Sequence, residues 1–180
     1  MRTSFHTITS LLSLAALATL AGTASADDDL ALMATGAWMM PSGEIGESYG
    51  GGAEARMADD HLTIGFGAKG LVGRTPALRR RDIMDVSFDV GLMLCERCES
   101  ITPYTAVGLD ILHITTHEPT RSVRGSTLGL SGHVGLMGRL GDDEWIWRAS
   151  ASYLGAIVPG TGEDLGGVTL SIAVGKQIMD

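Results

Sequence analysis

The chain has 180 residues, with 13 Lys and Arg against 21 Asp and Glu and a formal net charge of −8. That length fits one domain with a sizeable core, and the acid excess argues against a nucleic-acid partner. Lys occurs only at Lys69 and Lys176, so Arg supplies the rest of the basic charge, an odd bias for a watery surface, where Lys is among the most exposed residue types.

The first segment reads as a secretory signal peptide over residues 1–26. Arg2 precedes an apolar run from Leu11 to Ala21, and Ala24-Ser25-Ala26 forms a small-residue cleavage site. No later stretch reaches the ~18 consecutive apolar residues of a membrane helix. Residues 27–180 are therefore expected to form one exported domain.

Beyond the signal, period-two alternation replaces any helical period. Eight strand-like segments follow in order: Asp29–Met39, Tyr49–Ala58, His61–Leu71, Ile83–Leu94, Ile101–Thr115, Ser126–Leu140, Glu144–Ile157 and Gly167–Met179. Each runs to about ten residues or more, the span of a tilted transmembrane β-strand rather than of a soluble one. Four polar connections, at 40–48, 72–82, 117–125 and 158–166, alternate with tight turns near Asp59, Glu96 and Asp142. An even number of antiparallel strands in this layout predicts an up-and-down barrel with its N-terminus at the short-turn, periplasmic end.

The two faces of the segments identify their solvents. In the fourth, Met84, Val86, Phe88, Val90, Leu92 and Leu94 alternate with Asp85, Ser87, Asp89 and Gly91. A soluble barrel binding an apolar ligand would turn the aliphatic row inward and set long charged side chains outside. Here the second row is mostly Gly, Ser, Thr and Ala, which suits the narrow lumen of eight strands. The aliphatic row then faces lipid, where every backbone polar group must pair and the sheet must close. The inward row also carries Glu54, Asp85, Asp89 and Asp110 with Arg56, Lys69, Arg139 and Arg148, a balanced set expected to pair inside. Trp145 and Trp147 mark a periplasmic interface and Tyr153 the opposite one.

Both cysteines lie in Cys95-Glu96-Arg97-Cys98, which reads as a local disulfide across a turn in an oxidising compartment. Two ligands make a poor zinc site, and no cofactor or metal is expected. His113 and His117 stand about 13 Å apart on an extended strand, too far to share an ion, and read as solvated loop histidines. The strongest cationic cluster is Arg74, Arg79, Arg80 and Arg81 in one long connection, joined by Arg121 and Arg124 from the next. Arg binds phosphate bidentately, so these loops could contact lipopolysaccharide, although Asp82 and Glu118 lie among them.

Signal, eight amphipathic strands and inward charges together resemble the small OmpA/OmpX-type outer-membrane barrels over residues 27–180. The chain ends Gln177-Ile178-Met179-Asp180 where such proteins carry an aromatic residue read by the assembly machinery, and Lys176 interrupts the outward row. The resemblance implies a structural or surface-interaction protein of the bacterial outer membrane, with lipid, lipopolysaccharide and the assembly machinery as partners. Related barrels include lipid A deacylases with a His-x-Ser pair. This chain offers Ser131-Gly132-His133 in reverse order and His113-x-Thr115. With i and i+2 side chains nearly 7 Å apart, no nucleophile and base are expected in contact, and no catalytic residue is assigned.

Overall fold

The computed structural model describes residues 29–41, 46–59, 61–75, 79–95, 101–120, 122–141, 144–156 and 166–179. The expected signal peptide, Cys98 with its pairing to Cys95, and Arg121 lie outside them. Eight strands follow one another: β1 (Asp29–Pro41), β2 (Ser48–Ala58), β3 (Leu62–Arg74), β4 (Arg80–Met93), β5 (Ile101–His117), β6 (Ser122–Arg139), β7 (Trp145–Ala156) and β8 (Gly167–Met179). Each pairs antiparallel with the next, and β1 pairs with β8 from Leu30↔Met179 to Pro41↔Gly167 across one bulge at Leu30/Ala31. The sheet is a closed barrel. Closure leaves no open edge around the wall, the condition for crossing hydrocarbon.

Alternation sends aliphatic side chains outward over most of the wall. Val107 and Leu128 are 72% and 71% exposed, and Ile172 is 65% exposed. Gly, Ser, Thr and the ionic residues point inward. Turns obey local chemistry: Asp59 Oδ1 accepts the His61 amide at 2.9 Å, and Gly141 takes a left-handed φ of 70° between β6 and β7, a conformation costly for residues with a Cβ.

Two expectations need correction. The polar stretches assigned to long connections are largely strand: β3 runs to Arg74, β4 starts at Arg80, and β5 and β6 continue to His117 and from Ser122. The connections there shrink to 75–79 and 118–121, and the expected alternation of long and short links is weak. The lumen is also not uniformly small and ionic. Its end opposite the chain termini is closed by an apolar layer of Ala37, Met39, Leu71, Ile83, Leu112, Ile114, Leu154 and Ala156.

Both corrections have one physical cause. Along β5 the outward residues Val107, Leu109 and Ile111 give way to His113, Thr115 and His117, while Leu112 and Ile114 turn inward. Along β6, Ser122, Arg124 and Ser126 precede Leu128 and Leu130 on the same outer face. The register pairs Ile111 with Leu128 and His113 with Ser126, so the change falls at one level on both strands. Past that level β5 and β6 present a polar exterior and turn Leu112 and Ile114 into an apolar interior, the arrangement of a soluble barrel.

Candidate functional site

Among the described residues, the lumen beneath the apolar layer holds three close ion pairs, with Arg56 Nε a further 3.7 Å from Glu54 Oε1. Arg56 on β2 grips Asp89 on β4 bidentately, Nη1 to Oδ1 at 3.0 Å and Nη2 to Oδ2 at 2.9 Å, and Nη1 also donates to Thr63 Oγ1 at 3.0 Å. Arg148 on β7 donates through Nε to Glu54 Oε1 at 2.7 Å and through Nη2 to Oε2. Lys69 Nζ lies 2.9 Å from Asp85 Oδ2. Tyr104, which sequence reasoning missed, joins the two arginines: its hydroxyl accepts from Arg148 Nη1 at 2.9 Å, and its ring lies 5.5 Å from the Arg56 guanidinium carbon. Bidentate pairing and hydrogen bonding are what make buried charges tolerable.

Asp110 completes the set differently. Ser131 Oγ donates to Asp110 Oδ2 at 2.5 Å, and His133 Nε2 lies 2.9 Å from the same Oγ. Ser131 has one hydrogen, and Asp110 receives it, so Nε2 is the donor to Oγ. The expectation that Ser131 and His133 could not touch is therefore wrong, because the imidazole reaches along the strand. The order is nonetheless not that of a nucleophile activated by a base, since the serine proton points at the carboxylate. Of the eight inward charges read from the sequence, Arg139 stands apart: it is exposed at the end of β6, opposite Ile146.

Glycine makes room for this chemistry. A Cβ on Gly65 would come within 2.5 Å of both Arg56 Nη2 and Asp89 Oδ2, one on Gly108 within 2.7 Å of Ser131 Oγ, and one on Gly135 within 2.6 Å of the Tyr104 ring. The small inward row is a set of seats for particular partners. Among the described residues no cluster of three or more His, Cys, Asp or Glu could hold a metal ion.

Outside, above the polarity change, a basic row sits on strands rather than loops. Arg74 and Arg80 are directly opposed in register and both exposed, as is Arg124. Arg79 binds Glu118 at 2.7 Å and Arg80 binds Asp82 at 2.9 Å. Arg81 departs from the expectation of a phosphate-facing side chain. It turns inward, is buried, and donates through Nε to Thr116 Oγ1 at 3.2 Å. His113 and His117 are likewise outward on β5: His113 Nδ1 meets Ser126 Oγ at 2.8 Å, and His117 Nε2 meets Asp82 Oδ2 at 2.9 Å. Burial works to raise the Asp82 carboxyl, but hydrogen bonds with Arg80 and His117 outweigh it and hold the group below its ordinary value. At the opposite rim Lys176 Nζ leaves the apolar row to meet Glu144 Oε2 at 2.7 Å.

No family model matches the chain, and no curated protein matches it in sequence. Solved structures do match in fold. The Neisserial surface protein A aligns with a TM-score of 0.68 at 12% identity, covering 84% of this chain and 97% of that one. The N-terminal β-barrel domain of Pseudomonas aeruginosa OprF gives 0.59 at 15% identity, covering 84% and 98%. The Yersinia pestis attachment invasion locus protein Ail, in complex with the heparin analogue sucrose octasulfate, gives 0.55 at 13% identity, covering 84% and 97%. The fold is that of the small eight-stranded outer-membrane barrels.

Proposed function

We propose that this chain is a closed, non-conducting barrel of a bacterial outer membrane, exported through its first 26 residues, that acts as a structural and surface-contact protein. The observation that carries the reading is the shared level at which β5 and β6 exchange an aliphatic exterior for a polar one, the boundary a bilayer surface would impose. The capped end faces outward and the termini face the periplasm. No enzymatic role is assigned, and the buried Ser131 faces the lumen, away from acyl chains.

The partner we propose is the phosphate groups of lipopolysaccharide, met by Arg74, Arg80 and Arg124. Arg74 and Arg80 oppose each other across β3 and β4, an unfavourable like-charge pair that an anion between them would relieve. Arg81 leaves the site, and Arg79 and Arg80 are each partly neutralised, by Glu118 and Asp82. A sulfated polyanion is the second reading, supported by the sulfated ligand in the Ail complex and by the same row. Substituting Arg74, Arg80 and Arg124 together by Ser tests both. Binding of lipopolysaccharide vesicles should weaken and lose salt dependence, with heat-modifiable migration of the folded barrel retained. Unchanged binding would end the phosphate reading, and recovery of the native protein in the soluble periplasmic fraction would end the membrane reading.

A further inference from the structure

Above the polarity change, β5 and β6 carry a polar patch on their outer face. The register pairs His113 with Ser126, Thr115 with Arg124 and His117 with Ser122, and all six residues share the outward parity. Arg124 therefore lies opposite Thr115 and diagonal to both histidines, about 7–8 Å from each across the strands. Ser126 Oγ meets His113 Nδ1 at 2.8 Å, and Ser122 Oγ meets His117 Nδ1 at 3.3 Å. From β4, Arg80 and Asp82 face the same patch, joined at 2.9 Å, and Asp82 Oδ2 holds His117 Nε2. Further out, Arg79 is paired with Glu118. Among the described residues, these are the charged groups that β4 and β6 turn toward the two histidines. Arg80 and Asp82 cancel, which leaves the patch the single charge of Arg124 while the histidines are neutral.

We infer that His113 and His117 make this patch a pH-responsive site for clustered oxyanions, which binds sulfate or phosphate groups more tightly in mild acid. The inference rests on the proposed anion-binding role of Arg74, Arg80 and Arg124 and adds its regulation. Histidine is the side chain that ordinarily gains charge between about pH 8 and 5. A neutral imidazole has one N–H and one lone pair, whereas the imidazolium donates from both nitrogens. With Nδ1 engaged by Ser126, His113 has Nε2 left for a ligand, and protonation makes that nitrogen a donor and puts a charge beside Arg124. His117 works through Asp82. Its imidazolium takes up the carboxylate charge at the existing 2.9 Å contact, so the charge of Arg80 is no longer cancelled. Burial opposes ionisation of Asp82, but its bonds with Arg80 and His117 outweigh that and hold it below its ordinary value, so it stays charged throughout. The patch thus passes from one net positive charge to three. Charges spaced by strand diagonals suit a ligand with several neighbouring oxyanions better than a single ion.

Sucrose octasulfate is the probe, because sulfate esters keep their charge through this range, whereas a phosphate monoester takes up a proton near pH 6. It is titrated into the protein in uncharged detergent micelles at about pH 7.5 and 5.5 and one ionic strength. An exposed ion pair contributes roughly two- to fivefold, so two added charges should lower the native Kd about five- to tenfold on acidification. In the double variant His113→Gln with His117→Gln, which keeps hydrogen bonding without the charge, that ratio should fall to about one. Heat-modifiable migration reports that the variant is folded. Tightening toward lipopolysaccharide vesicles as well supports a lipid source of the oxyanions, and tightening toward octasulfate alone a soluble source. A native ratio below about twofold, with binding intact, would overturn the inference and leave the anion-binding reading standing. So would a tightening that survives in the double variant. No binding at either pH would overturn both.

Discussion

Replacing Asp89 by Asn leaves the shape of the lumen unchanged and removes the charge that Arg56 is built around. Both side chains of the pair are more than nine-tenths buried, so solvent cannot take over the lost interaction. Removing one partner of a buried, hydrogen-bonded pair costs about 3–5 kcal/mol, because the other charge stays buried. Asn still accepts one of the two Arg56 hydrogen bonds, which places Asp89→Asn near the lower end, about 3 kcal/mol. Gly65→Ala should act on the same pair by sterics alone, since its Cβ would fall within 2.5 Å of both partners. The exposed pair Lys176–Glu144 is the control, where Glu144→Gln should cost at most about 1 kcal/mol. The combined change Arg56→Met with Asp89→Leu should cost less than Asp89→Asn, because no charge is left alone. Urea unfolding in micelles, followed by tryptophan fluorescence, measures all four. An Asp89→Asn cost below about 1 kcal/mol, indistinguishable from the surface control, would refute the account of a buried ionic lumen.

Scanning Arg through the outward positions of β5 should cost about 2–4 kcal/mol at Val107 and Leu109 and roughly 0–1 at His113 and Thr115, read from unfolding in lipid vesicles. Planar bilayers carrying the native barrel should show no steady conductance. A stable open-channel current would mean that the apolar layer does not seal the lumen. Leu112→Ala should destabilise the barrel by about 2–5 kcal/mol by opening a cavity in that layer, although the sequence alternation would place Leu112 among small lumen residues. Asp82 is held below its ordinary value in the folded state, so its contribution is present above roughly pH 4, where an unfolded Asp ionises, and lost as pH falls through the folded value. Protection factors for amide exchange at the β5–β6 turn, measured against the intrinsic rate at each pH, should therefore fall in acid, and Asp82→Asn should flatten that response.

The strand order, the inward parity and seven of the eight lumen charges were legible because period-two alternation needs only local sequence. The rest was hidden by a change of phase. Above the polarity change the strands keep alternating, but on β5 and β6 the inside and outside chemistry is exchanged, and polar residues dominate the ends of β3 and β4, so Arg74, Arg80 and Arg124 read as loop residues. A signal for the change was present: an inward and an outward aliphatic or aromatic residue become neighbours at Met39-Met40, Leu71-Val72, Ile83-Met84, Ile111-Leu112 and Tyr153-Leu154, and the inward member of each belongs to the apolar layer. Tyr104 was overlooked because an aromatic on the small inward row looks like an exception, yet Gly135 lies directly opposite to receive it. The Ser131–His133 contact was misjudged from backbone spacing alone, which ignores the reach of an imidazole.

The orientation of the wall can be read directly by placing the barrel in bilayers with paramagnetic labels at mid-chain and recording which methyl groups relax. The account predicts strong relaxation at Val107, Leu109, Leu128, Leu130 and Ile172, with Leu112 and Ile114 protected inside the lumen. Relaxation of Leu112 and Ile114 ahead of Leu128 and Leu130 would contradict it.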